Sequence, residues 1–218
     1  MAWSINTLGL LAWSNGEHGR ARACWEESLA LARTLGNTWG AQSLIAILLT
    51  NLASEAAEQG DDARARLLAE EGLATARAIG NQRWSAAALN NLGRDALDQG
   101  NYTQAQVRFE ESMLLGWEWG DEREVVTSLE NMALLVYTQA QDSQATARAM
   151  RLFGAAAALR DVLNAPLLPD SDSLIEPTLA ALRTQVDPTT WTALWGEGRA
   201  MTLEQAIAYA RDGLAADQ

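Results

Sequence analysis

The side chains best equipped for chemistry are few and do not converge. His18 is the only histidine and Cys24 the only cysteine. Six residues apart, they would not face each other on one helix, where neighbours stand three or four apart. Neither has a second partner of its kind, so no nucleophile–base pair or thiolate–imidazole metal set can be assembled around them. The single cysteine also excludes an internal disulfide. Gly196-Glu197-Gly198-Arg199 carries two glycines but follows no strand, so it does not read as a phosphate loop; a helix break before the last helix accounts for it. Three acidic pairs, Glu26-Glu27, Glu70-Glu71 and Glu110-Glu111, recur in register and would suit metal binding or acid–base work. They fall on the outer face of their helices, where Arg22 to Glu26 and Arg66 to Glu70 are i,i+4 pairs, each contributing about 0.3–0.5 kcal/mol. The sequence therefore assigns no catalytic residue, metal ligand or cofactor, and a hydrolase would lack base, nucleophile and metal cluster alike.

Amides and indoles are better organised. Asn51, Asn91 and Asn131 immediately precede Leu52, Leu92 and Met132, with Thr7 before Leu8 at the equivalent place. Asparagine is a mediocre helix former, so its return at one register in mid-helix needs a reason. One is structural: the amides satisfy a neighbouring helix. The other is functional, a polar ladder whose donors and acceptors pair with the backbone of an extended peptide. Glu55 and Asp95 form a second column four residues on, and Trp39 and Trp84 stand at the starts of two helices, where they would rim a groove. The expected partner-binding set is Asn51, Glu55, Asn91, Asp95, Asn131, Trp39 and Trp84, suited to a peptide with basic and apolar residues. Most of the other tryptophans, of nine in all, read as core; Trp25 holds a packing position, and Trp191 and Trp195 anchor a C-terminal element.

The elements that position these residues follow from a repeat. Gly16, Gly60 and Gly100 are each followed twenty residues later by Gly36, Gly80 and Gly120. Ala21, Ala65, Ala105 and Ala145 share one register, and Trp25, Ala69, Phe109 and Ala149 another. Periods of 44, 40 and 40 residues result. Gly36-Asn37, Gly80-Asn81 and Gly120-Asp121 each pair a left-handed C-cap residue with an N-cap residue, where one helix stops and the next starts. The expected helices are about 2–14, 18–35, 38–59, 62–79, 82–99, 102–119, 121–139 and 143–163. Prolines 166 and 169 interrupt the pattern. Beyond them, Asp187-Pro188 reads as N-cap and first helical position, and Thr202 to Gln205 as a capping box.

Composition agrees with a helical interaction module. The chain has 218 residues, 48% of them hydrophobic, and only four prolines, enough apolar material for a core and little to break helices. A net charge of -12 would repel nucleic acid, whose binding needs clustered Lys and Arg. No apolar run approaches the roughly 20 residues that span a bilayer, and no basic segment precedes an apolar one at the N-terminus. A cytoplasmic location without membrane contact is the expectation.

The third unit, with Leu92, Gly93, Gly100, Tyr102, Ala105 and Phe109, resembles the tetratricopeptide repeat (TPR), a helix pair in which small residues allow close approach and large ones fill the gap. The tail is also distinctive. Arg151-Leu152-Phe153-Gly154-Ala155-Ala156, Ala165-Pro166, and Trp195-Gly196-Glu197-Gly198-Arg199 through Ile207 are similar to the C-terminal end of STAND-type ATPase regulators of the LuxR and AfsR kind. The resemblance implies a TPR array in a bacterial signalling protein, with an ATPase and an output domain elsewhere. The expected fold is all-α, a right-handed TPR superhelix (α-solenoid) of four helix pairs over 1–164, with a helical cap over 165–218. The expected function is non-catalytic binding and sensing of a protein or peptide. A small-molecule effector in a Trp-lined groove is the alternative, which a metabolite thermal-shift screen would reveal.

Overall fold

The computed structural model describes residues 1–139, 142–165 and 169–212, with the side chains of 169–173 excepted. Eleven helices and no strand occupy the described residues: α1 Ala2–Ser14, α2 His18–Thr34, α3 Trp39–Glu58, α4 Asp62–Ala78, α5 Gln82–Asp98, α6 Tyr102–Trp119, α7 Glu122–Gln139, α8 Ser143–Leu163, α9 Pro169–Gln185, α10 Pro188–Arg199 and α11 Leu203–Asp212. The fold is all-α, and α1 to α5, and again α6 to α8, pack on their sequence neighbours, the arrangement of an α-solenoid.

Local chemistry sets the boundaries. Each of the six repeat glycines has a positive φ, from 66° to 74°, and lies between helices, none inside one. The turn at Gly80 shows why. Its N–H reaches Arg77 O at 3.1 Å, and the N–H of Asn81 reaches back to Ala76 O at 2.8 Å, the Schellman pattern that satisfies the orphan carbonyls of a helix end and requires a left-handed residue. Asn81 then caps α5 by accepting from Trp84 N–H at 3.3 Å. Asp61, Asn101 and Asp142 cap α4, α6 and α8 in the same way. One expectation moves by a residue: α3 is capped by Thr38, which accepts from Ala41 N–H, and not by Asn37. The box at Thr202 forms as expected, with Thr202 N–H donating to Gln205 at 2.9 Å and Gln205 N–H to Thr202 at 3.3 Å.

The chain divides into two compact units, Met1–Gln99 and Gly100–Gln218, so the division falls inside the third expected pair. In the first unit α1 packs on α2, α2 on α3, α3 on α4 and α5, and α4 on α5. Its core is built from Trp25, Leu29, Leu44, Leu48, Leu49 and Leu52. The Trp25 indole fills the space beside Gly9, where an added Cβ would stand 2.4 Å from its Nε1. In the second unit α7 lies between α6 and α8, and Phe109, Met113, Leu129, Met132, Leu135 and Met150 are fully buried.

The same unit contains α9, α10 and α11, which pack on α7 and α8. Gly196 and Gly198 lie inside α10, not at a helix break as the sequence suggested. Their roles differ. A Cβ on Gly198 would fall 2.1 Å from Arg151 O, and one on Gly154 2.6 Å from Trp195 O, whereas Gly196 faces open space. The backbones of α8 and α10 therefore approach at two glycines that admit no side chain. Ion pairs flank this contact, Arg151 to Glu197 at 2.6 Å and Arg199 to Asp161 at 2.8 Å. Arg148 donates to the carbonyls of Tyr209 and Ala210 at 3.2 and 2.9 Å, completing the last turn of α11. Trp191 and Trp195 stack with centroids 5.3 Å apart, and the Arg183 guanidinium lies 4.9 Å over Trp191.

Candidate functional site

The first unit carries six of the seven residues singled out from the sequence, Trp39, Asn51 and Glu55 on α3 and Trp84, Asn91 and Asp95 on α5. Asn51 is half-buried, and its Nδ2 donates to Asn6 Oδ1 on α1 at 3.5 Å. Asn91 donates from Nδ2 to Thr50 O at 3.2 Å and to Ser54 Oγ at 3.1 Å. An amide has two donors, and both are engaged by α3. The row of free amides that a peptide backbone would need is therefore not present here. These asparagines tie each first helix of a pair to the one before it, the structural explanation of their register. In the second unit Asn131 is buried and engaged as well.

The acidic column is also used internally. Asp95 accepts from Arg66 Nε at 2.9 Å and from Gln99 Nε2 at 2.7 Å. Arg66 thus turns to the neighbouring helix and not to Glu70. Glu55 is 2% exposed, with Oε2 lacking a hydrogen-bond partner among the described residues. Neither carboxylate presents itself to a basic peptide.

The indoles behave differently. Trp39 is 65% exposed. Trp84 is half-buried, with the Arg83 guanidinium 5.5 Å from its ring. They are not at equivalent positions, since Trp39 precedes Ala41 by two residues and Trp84 precedes Ala86 by two but follows its glycine by one residue more. The first turns of α3 and α5 are nevertheless neighbours, because Asn81 Nδ2 donates to Ser43 Oγ at 3.1 Å. That bond joins the start of α5, which carries Trp84, to the second turn of α3, whose first residue is Trp39.

The chemistry-bearing residues find separate partners. His18 Nδ1 lies 3.5 Å from Glu58, with the ring edge-on to Trp13; Cys24 is a half-buried free thiol. Glu26 bridges Arg22 at 3.2 Å and Arg64 at 2.6 Å. Burial pushes its carboxyl up, but the hydrogen bonds from Arg64 and Arg22 outweigh this and hold it below the ordinary value. Asp98 is raised by burial, with Asp62 and Asp95 adding to it against Arg94. No group of three or more His, Cys, Asp and Glu among the described residues could hold a metal ion. No helix among them is long and apolar enough to cross a membrane.

One buried series escaped the sequence reading. Asn6, Thr50, Asn90 and Glu130 occupy the register one residue before the asparagine column, and all four are buried. Glu130 is held by a bidentate contact from Arg160 of α8, whose Nη1 also donates to Ala165 O at 3.3 Å. Burial pushes the Glu130 carboxyl above its ordinary value against the pull of Arg160. The periods of the glycine series would have revealed this column, but its residue types vary too much to show as a motif.

No curated protein matches the chain. The family model of the tetratricopeptide repeat matches residues 1–37 and 85–115, which hold α1 and α2 and most of α5 and α6. The helical elements and this similarity together give a chain that contains a TPR-type region within an all-α solenoid fold.

Proposed function

We propose that the chain is a non-catalytic module that binds a protein or peptide and serves as the sensing portion of a cytoplasmic bacterial signalling or transcriptional regulator of the STAND ATPase group. The observation that supports it most is the tetratricopeptide match over α1 and α2 and over most of α5 and α6, since repeats of this type act by presenting surface along stacked helices. The regulator assignment draws on the tail, whose motif residues Gly154 and Gly198 leave no room for a side chain where α8 meets α10. In this reading 165–218 caps the 1–164 array, shielding the apolar face of α7 and α8.

The binding surface lies at the helix starts that carry Trp39 and Trp84. Asn51, Asn91 and Asp95 hold the helices of this unit together, and the exposed indole supplies the contact area. A displayed library of extended peptides, selected on the full chain, tests this. Binders should lose at least about tenfold in affinity on Trp39→Ala, a shift of about 1.4 kcal/mol, with unchanged circular dichroism. Binders indifferent to both Trp39→Ala and Trp84→Ala would place the surface elsewhere.

A further inference from the structure

The carboxylates of the first unit are sorted along its helices. Between Glu27 and Glu55, and again between Glu71 and Asp95, no Asp or Glu occurs, in a chain that has 28 of them. These two stretches hold the ends of α2 and α4, the starts of α3 and α5, and the turns between. The helices run antiparallel. The start of α2 meets the end of α3 through His18 and Glu58 at 3.5 Å, and the start of α4 meets the end of α5 through Arg66 and Asp95 at 2.9 Å. At the other end the two carboxylate-free stretches are tied together by Arg33 to Glu71 at 2.6 Å and by Asn81 to Ser43 at 3.1 Å. That end carries Arg33, Arg77 and Arg83, all exposed, with Leu35 58% and Trp39 65% exposed. Glu17, Glu58, Asp61, Asp62, Asp95 and Asp98 gather at the opposite end, where they outnumber the arginines.

We propose that the carboxylate-free end docks an acidic segment of a partner protein, in which two or more carboxylates flank an apolar side chain. This rests on the binding role given above to the helix starts at Trp39 and Trp84, and adds the chemistry of the partner. Arg83 lies 5.5 Å from the Trp84 ring, and a guanidinium presents its N–H edge to a carboxylate while its face lies on an indole. Glu71, which borders the stretch, is already held by Arg33. The net charge of -12 opposes an acidic partner at long range, and distance decides which effect wins. Helices α2 and α4 have 17 residues each, so the two ends of the unit stand about 25 Å apart. That is roughly three Debye lengths at physiological salt. A segment docked at the arginines is therefore screened from the carboxylates at the far end.

The displayed peptide library, selected on the full chain in about 0.15 M salt, supplies the probes. Among binders that Trp39→Ala or Trp84→Ala weakens, Asp and Glu should outnumber Lys and Arg. One such peptide, synthesised again with each Asp and Glu replaced by its amide, should bind at least about threefold more weakly in fluorescence anisotropy. Arg77→Gln with Arg83→Gln should cost the acidic peptide a similar factor and leave the amide version unchanged. Tryptophan-dependent binders rich in Lys and Arg, or indifferent to amide replacement or to the arginine substitutions, overturn the inference and leave the binding site in place. A library that yields no tryptophan-dependent binder overturns the site and the inference together.

Discussion

Replacing Arg160 by methionine isolates the most demanding electrostatic contact in the second unit. The Glu130 and Arg160 side chains are 5% and 14% exposed, so neither ion can turn to water when its partner is removed. Removing one member of such a pair costs about 3–5 kcal/mol, because the desolvated charge left behind is uncompensated. Removing both, as Glu130→Leu with Arg160→Met, deletes the cost together with the attraction and should destabilise by no more than about 1–2 kcal/mol. The cycle thus predicts a coupling of at least about 2 kcal/mol between the two positions. Urea unfolding of the full chain followed by circular dichroism measures all four proteins, with the slope checked for a change in the number of transitions. The pH dependence has a definite sign. A carboxyl whose pKa is raised by folding contributes stability below its unfolded value, about 4.3, and loses it as pH rises through the folded value. Glu130 is already raised, and removal of Arg160 raises it further. The deficit of Arg160→Met should therefore shrink as pH falls through the raised folded value of Glu130 toward its unfolded one. A single variant costing under about 1 kcal/mol, or a double variant costing the sum of the singles, would refute the reasoning.

Other substitutions test other contacts. Asn91→Ala should lower stability by about 1–3 kcal/mol in the same urea assay, since it leaves Thr50 O and Ser54 Oγ without their donor; an unchanged midpoint would return the amide to a binding role. Gly198→Ala should destabilise by about 3 kcal/mol or more and Gly196→Ala should stabilise by about 0.5–1 kcal/mol, opposite signs two residues apart that differential scanning calorimetry resolves. Glu55→Met should raise the melting temperature, because it removes a buried carboxylate oxygen without a partner; a fall would mean that Glu55 is held in the native state.

The turns were legible because their chemistry is local. A glycine followed by Asn or Asp states both a left-handed C-cap and the next N-cap within two residues, and Gly60, Gly80, Gly100 and Gly120 are each followed by the residue that caps the next helix. Partner identity was not legible in the same way. Asn91 and Ser54 are 37 residues apart and Arg160 and Glu130 are 30 apart, and nothing in the composition of either segment marks the other. Asparagine at a fixed register fits both a satisfied helix contact and an open ladder, and only the position of the adjacent helix decides between them. Gly198 was misread for a related reason. A glycine that ends a helix and one that admits a neighbouring backbone look alike in sequence. Trp39 and Trp84 seemed equivalent because each stands at the start of a helix, yet Trp39 is the first residue of α3 and exposed, and Trp84 the third of α5 and half-buried.

Asn81 joins three helices through one residue. Its N–H closes the end of α4, its Oδ1 opens α5, and its Nδ2 holds Ser43 of α3. Fraying is usually a private event at each helix terminus, with amides there exchanging hydrogen far faster than those in the middle. Here the last turn of α4 cannot unwind without releasing the first turn of α5 and loosening α3. The amides of Asn81, Trp84 and Ser85 should therefore exchange together and late, as one opening unit. The connection between two repeats, ordinarily the softest part of a helical stack, is in this unit the place where protection from solvent is shared.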